Sequence, residues 1–186
     1  VSQTTADLIL VTGPSGVGKS TVSQQIHDRL GGDWLLWQAD LCQPRHHPIP
    51  TSLTPEQGLA LEQRMFAANV DAIGAYLSNN WPVVAELTAM TAREADAIRR
   101  SATGRVMLVQ LDCSPEALAA HLQLRDTPVP MDWAVTFYER WRGVTLPGAI
   151  RVDVTDKAPA EVVDRILHCW SGYETGRKPT TSTAGG

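Results

Sequence analysis

A chain of 186 residues, 43% hydrophobic and 19% charged, is the size of one domain with a core of its own, which excludes a disordered polypeptide. Its net charge of −4 offers no broad basic face, so neither a nucleic-acid nor a membrane partner is expected and any phosphate must be held locally. Three scattered cysteines without a CxxC pair, no apolar run near about 18 residues and a polar start at Val1–Asp7 lead us to expect a soluble, cytoplasmic protein with reduced thiols.

Along the chain, short apolar runs alternate with amphipathic ones. Leu8–Thr12 (LILVT) reads as a strand buried on both faces and halted by a glycine-rich turn. From Lys19, the residues Val22, Ile26 and Leu30 recur at helical spacing, and Gly31-Gly32 stops that helix. Trp34–Ala39 is a second strand candidate, closed by Asp40. The proline-rich stretch Leu41–Ser52 cannot be one long helix. Thr54-Pro55-Glu56-Gln57 then combines an N-cap, a proline at the first helical position and a capping-box glutamine. It opens a helical pattern over about Pro55–Asn79, in one piece or in two joined pieces.

Trp81–Leu87 reads as a third strand, Ala92–Arg100 as a helix and Arg105–Leu111 as a fourth strand. Ser114-Pro115-Glu116 starts a helix that runs to about Arg125, and Thr127–Asp132 is a proline-broken loop. Trp133–Arg142 reads as a short helix, Ile150–Val154 as the fifth strand and Pro159–Trp170 as the closing helix. The tail 172–186, rich in Gly, Ser and Thr, is expected to be disordered. This alternation predicts an α/β fold in which a five-stranded parallel sheet is flanked by helices on both faces.

The first turn carries the chemistry. Gly13-Pro14-Ser15-Gly16-Val17-Gly18-Lys19-Ser20, followed by Thr21, fits G-x-x-x-x-G-K-[ST] and lies between a buried strand and an amphipathic helix. Glycines let successive backbone N–H groups curl around phosphate oxygens, and the helix N-terminus adds its positive dipole end. Lys19 can reach the β- and γ-phosphates, and the Ser20 hydroxyl can ligate Mg²⁺. The Gly16–Gly18 pair does not continue into a dinucleotide fingerprint, so NAD is not expected. Val83-Val84-Ala85-Glu86 is a hydrophobic strand followed by an acid, which resembles a Walker B arrangement. That resemblance implies that Glu86 holds Mg²⁺ through water, with Thr88 on the same side of the strand.

The loop, the segment from it to Asp40 and the array of strands resemble the small-molecule kinases of the P-loop superfamily over about Leu8–Trp170. This group includes gluconate kinase, shikimate kinase, adenylylsulfate kinase and chloramphenicol phosphotransferase. The resemblance implies a three-layer kinase domain over 1–171 with a small lid at about 125–142. It also implies ATP and Mg²⁺ as cofactors and a small hydroxyl-bearing acceptor such as a sugar, a sugar acid or an antibiotic. In that family an acid at the position of Asp40 contacts the acceptor hydroxyl and helps to position Mg²⁺. Asp40-Leu41-Cys42-Gln43-Pro44-Arg45 is similar to the gluconate-kinase pattern of Asp then Leu-His-Pro-Arg, with Gln43 for the histidine and one extra residue. Arg45 is suited to forking onto a carboxylate or polyol of the acceptor.

Arg125, closing Ala117–Arg125, resembles the lid arginines that spread the charge of a transferring phosphoryl group. The family's companion basic position falls on His121, with Arg140 or Arg142 as substitutes. Cys42, His46 and His47 could be read as metal ligands, although adjacent histidines in a proline-rich loop are more often surface residues. Trp133 reads as core rather than as a substrate-stacking ring, and Asp112 as support for a helix cap. Asp153 and Thr155 fall near the place where the superfamily holds adenine. Two other functions compete. A nucleoside or nucleotide kinase would want an arginine cluster for a second phosphate, and a nucleotide-dependent switch would carry a guanine-reading Asn-Lys-x-Asp; neither is present.

Overall fold

The computed structural model describes residues 6–42, 54–88, 91–124, 135, 138–139 and 141–173. Arg45, His46, His47, Arg125, the Thr127–Asp132 loop, Trp133, Arg140 and the tail from residue 174 onward lie outside the described residues. The elements in chain order are β1 (Leu8–Gly13), α1 (Lys19–Leu30), β2 (Leu35–Gln38), the single turn α2 (Ala39–Cys42), α3 (Pro55–Ser78) and β3 (Val83–Thr88). There follow α4 (Ala92–Ser101), β4 (Val106–Asp112), α5 (Pro115–Gln123), β5 (Ile150–Asp153) and α6 (Pro159–Ser171). Residues 135, 138, 139, 141 and 142 are also helical, in the segment expected to hold a short helix.

Local signals set the ends of these elements. Thr54 accepts the Gln57 N–H while the Gln57 side chain accepts the Thr54 N–H, and α3 then runs unbroken as one helix. Thr91 and Glu94 repeat the capping box on α4. Ser114 caps α5 through the Ala117 N–H, with Pro115 in its first turn.

The five strands form one parallel sheet in the order β2-β3-β1-β4-β5, so β1 is central and its loop opens at the carboxyl edge. Strand period divides the core in two. Ile9 and Val11 of β1 face α1, α5 and α6, together with Val22, Ile26, Leu118, Leu122, Val163 and Ile166. Leu8 and Leu10 face α3 and α4, together with Ile73, Leu77, Ala95 and Ile98. Burying both faces explains why the strands read as continuous apolar runs. At the opposite edge, Asp7 accepts hydrogen bonds from the Arg105 backbone and guanidinium, while that guanidinium lies 4.0 Å over the Trp170 ring. Among the described residues no helix is long and apolar enough to cross a membrane.

Several element ends differ from expectation. β2 stops at Gln38, so Asp40 sits inside α2 rather than closing the strand; the chain turns helical at Ala39 before the proline-rich stretch. β3 starts at Val83 instead of Trp81 and runs one residue beyond Leu87, its pairing with β1 continuing through Thr12↔Leu87 and Gly13↔Thr88. α5 ends at Gln123 instead of Arg125. Asp112 belongs to β4, where it accepts from the Cys113 N–H and the Arg151 guanidinium, and Ser114 alone does the capping.

Candidate active site

The site begins with the glycines of the first turn. Gly16 and Gly18 have φ of 89° and 95°, a left-handed conformation that other residues rarely adopt, and Gly18 also serves as the N-cap of α1. Lys19 opens the helix, and its ammonium folds back to donate to the Pro14 carbonyl at 3.0 Å, which keeps the charge against the loop. The side chain is only 9% exposed. Ser20 and Thr21 follow in the first turn of α1, so the loop, the helix N-terminus and one ammonium converge on one spot.

Glu86 meets this spot from the neighbouring strand. Its Cα is paired with Val11 and it points to the α1 face, two residues beyond Val84 of that same face. The Ser20 hydroxyl donates to its carboxylate, with Oγ 2.8 Å from Oε2 and 3.0 Å from Oε1. Glu86 is 3% exposed, whereas Ser20 is open to solvent. Hard oxygen donors of this type, one hydroxyl and one carboxylate, suit Mg²⁺. Gln38 joins from β2, its side-chain amide donating to the Ser20 carbonyl at 3.2 Å.

A cavity of about 440 Å³ opens over these groups. It is lined by Ser15–Val22 with Glu86 and Thr88, by His121 and Leu124 at the end of α5, by Val154 and Lys157 of the β5–α6 turn, and by Pro159 and Val162 of α6. That turn is braced. Asp153 accepts the Thr155 N–H, a bond that holds its carboxyl below the usual range, and the Thr155 hydroxyl accepts the Ser114 N–H. The nearby Cys113 is buried, and that burial, reinforced by the carboxylates of Asp112 and Asp153, pushes its thiol up to about 11.

Of the sequence-predicted residues, Gly13–Thr21 and Glu86 are brought together. Asp40 stands in α2, just beyond the carboxyl end of the edge strand β2. Arg45 and Arg125 lie outside the described residues. Among the described residues no cluster of three metal-binding side chains occurs, and two members of the Cys42, His46 and His47 set are not among them. Sequence reasoning missed Gln38, Lys157 and the apolar lining Val154, Pro159 and Val162. For those a weak signal existed, since residues just past the carboxyl end of a parallel strand face ligands. For Gln38 there was none.

The AAA domain family model matches residues 8–135. No curated protein sequence matches the chain significantly. Among solved structures, it is similar to a sugar kinase from Janibacter sp. HTCC2649 (18% identity, TM-score 0.69, covering 89% of this chain and 95% of that one). It is also similar to a gluconokinase from Sinorhizobium meliloti 1021 (25% identity, TM-score 0.67, covering 91% and 94%). A third likeness is to shikimate kinase from Aquifex aeolicus vf5 (18% identity, TM-score 0.61, covering 89% and 96%).

Proposed function

Starting from the fact that the chain belongs to the AAA domain family and has its phosphate-loop fold, we propose that it is an ATP-dependent phosphotransferase acting on a hydroxyl of a small molecule. The observation that carries this reading is the Ser20–Glu86 contact beneath a glycine-rich loop that already holds the Lys19 ammonium. The likeness to a gluconokinase at 25% identity supports a small hydroxylated acceptor, of the sugar, sugar-acid or antibiotic type.

In this reading the loop amides and Lys19 bind the β- and γ-phosphates, and Ser20 and Glu86 hold the metal. Mg²⁺, when bound there, would neutralise charge on the phosphate oxygens. Asp40 orients the acceptor hydroxyl, Arg45 grips the acceptor's polar groups, and Arg125 spreads charge that builds up during transfer. The apolar wall of Val154, Pro159 and Val162 shields the base from water.

The test is a panel of small hydroxyl compounds and nucleoside monophosphates offered with MgATP, with ADP release and product mass both recorded. We expect little ADP alone and a large rise with one class of hydroxyl compound. A response to monophosphates alone would make the protein a nucleotide kinase instead. Lys19→Ala is expected to abolish ATP binding or turnover. Asp40→Asn is expected to keep ATP binding and lower transfer by roughly a hundredfold or more; near-full activity in that variant overturns the role given to Asp40.

A further inference from the structure

The last residue of β2 reaches the Ser20–Glu86 pair by a route of its own. Gln38 is the Cα partner of Glu86 across the β2–β3 ladder, and both side chains project to the α1 face of the sheet. Neighbouring strands lie about 4.8 Å apart, so the two residues meet the same turn of α1. They hold different atoms of it. Glu86 accepts the Ser20 hydroxyl, whereas Gln38 Nε2 donates to the Ser20 carbonyl at 3.2 Å. Ser23 Oγ donates to that carbonyl from within the helix at 3.1 Å. Ser20 is open to solvent, yet its backbone and its side chain are both tied.

The residue type fits this position. A side-chain amide supplies a donor and adds no charge beside Glu86. A carboxylate there could not donate to the Ser20 carbonyl and would repel Glu86.

The strand does not need this bond to stay in place. β2 is paired along its length with β3. On the opposite face Trp37 Nε1 donates to Asn69 Oδ1 of α3 at 2.9 Å, and Asn69, 6% exposed, donates in turn to the Met65 carbonyl. Beside those ties, the half-buried Gln38 amide adds little to stability. What it adds is direction, a cross-link from the edge strand to the turn that carries the Ser20 hydroxyl.

Resting on the nucleotide reading above, we propose that Gln38 is a positioning residue: by holding the Ser20 carbonyl it aims the Ser20 hydroxyl at the divalent cation that accompanies the nucleotide. It acts through Ser20 and strengthens only the metal-dependent part of nucleotide binding. One neutral hydrogen bond of this kind changes affinity by roughly fivefold.

The experiment is calorimetric titration with the β,γ-imido analogue of ATP, once with Mg²⁺ and once with EDTA in its place. The proteins are wild type, Gln38→Met, Ser20→Ala and the double variant, each with a urea melt. Methionine keeps the length of the side chain and removes the donor. Gln38→Met should lower affinity roughly fivefold with Mg²⁺ and leave it unchanged in EDTA, with a urea midpoint near wild type. In the Ser20→Ala background the same change should have no effect, because the hydroxyl it aims is gone. An equal loss with and without Mg²⁺, no loss in either, or the same loss in the Ser20→Ala background overturns the role of Gln38 and leaves the nucleotide reading standing. A clearly lower urea midpoint makes the bond a structural one and overturns it as well. Wild-type binding that is indifferent to Mg²⁺ overturns the Ser20–Glu86 metal assignment, and this inference with it. Failure of wild type to bind the analogue in either condition overturns the nucleotide reading itself.

Discussion

At the scale of single residues, the site is a set of oxygen and nitrogen atoms whose charge must be matched. Ser20 and Glu86 are 66 positions apart in sequence yet in direct contact. Glu86→Gln keeps an acceptor for the Ser20 hydroxyl but removes the negative charge a divalent cation needs. Nucleotide binding without metal should change little, whereas Mg²⁺-dependent turnover should fall roughly a hundredfold, as for loss of one electrostatic contact in a transition state. A Mg²⁺ titration of turnover checks this; unchanged metal dependence would remove Glu86 from the metal site. Lys19 and Ser20 were legible from the sequence because their spacing from Gly13 is a local property. Gln38 was not, since an edge-strand amide reaching the Ser20 carbonyl follows from strand order alone.

At the scale of elements, the loop and α5 behave as one unit. Gly16→Ala would force a left-handed φ of 89° on a residue with a Cβ and drive that Cβ into Leu122. The strain costs about 1–2 kcal/mol, and repacking of the leucine adds to it. Nucleotide affinity should fall at least roughly tenfold, with a smaller loss in stability, because the loop can relax outward only by giving up its phosphate-binding shape. Titration with nucleotide and a urea melt of the same variant separate the two effects. Wild-type affinity would mean that the loop tolerates a side chain at that position. Element identity was easy to read, since capping signals at Thr54 and Ser114 and β-branched runs act over a few residues. Element ends were harder. β3 extends through Thr88 because β1 lies beside it, a fact no local pattern contains.

At the scale of the molecule, one ion pair ties together distant parts of the chain. Arg105 bonds Asp7 ahead of β1 and covers Trp170 of α6, joining the start, middle and end of the domain. Both side chains are mostly buried, at 25% and 17% exposure, so removing one leaves the other poorly solvated. Arg105→Ala should lower stability by about 2–3 kcal/mol, read as a lower urea midpoint, while leaving nucleotide affinity near wild type because the pair sits at the edge opposite the site. A midpoint equal to wild type would show that water compensates fully at this position.

The order of apolar runs, capping signals and glycine spacing determined the α/β class, the parallel sheet and the loop that grips phosphate, because each depends on hydrogen bonding and sterics within a few neighbouring residues. Only the tertiary structure decided which strand flanks β1, that Glu86 therefore meets Ser20, and that α5 and the β5–α6 turn line the cavity together with the loop. Those contacts close over long stretches of chain and come from packing both faces of the sheet, which no short window of sequence can encode.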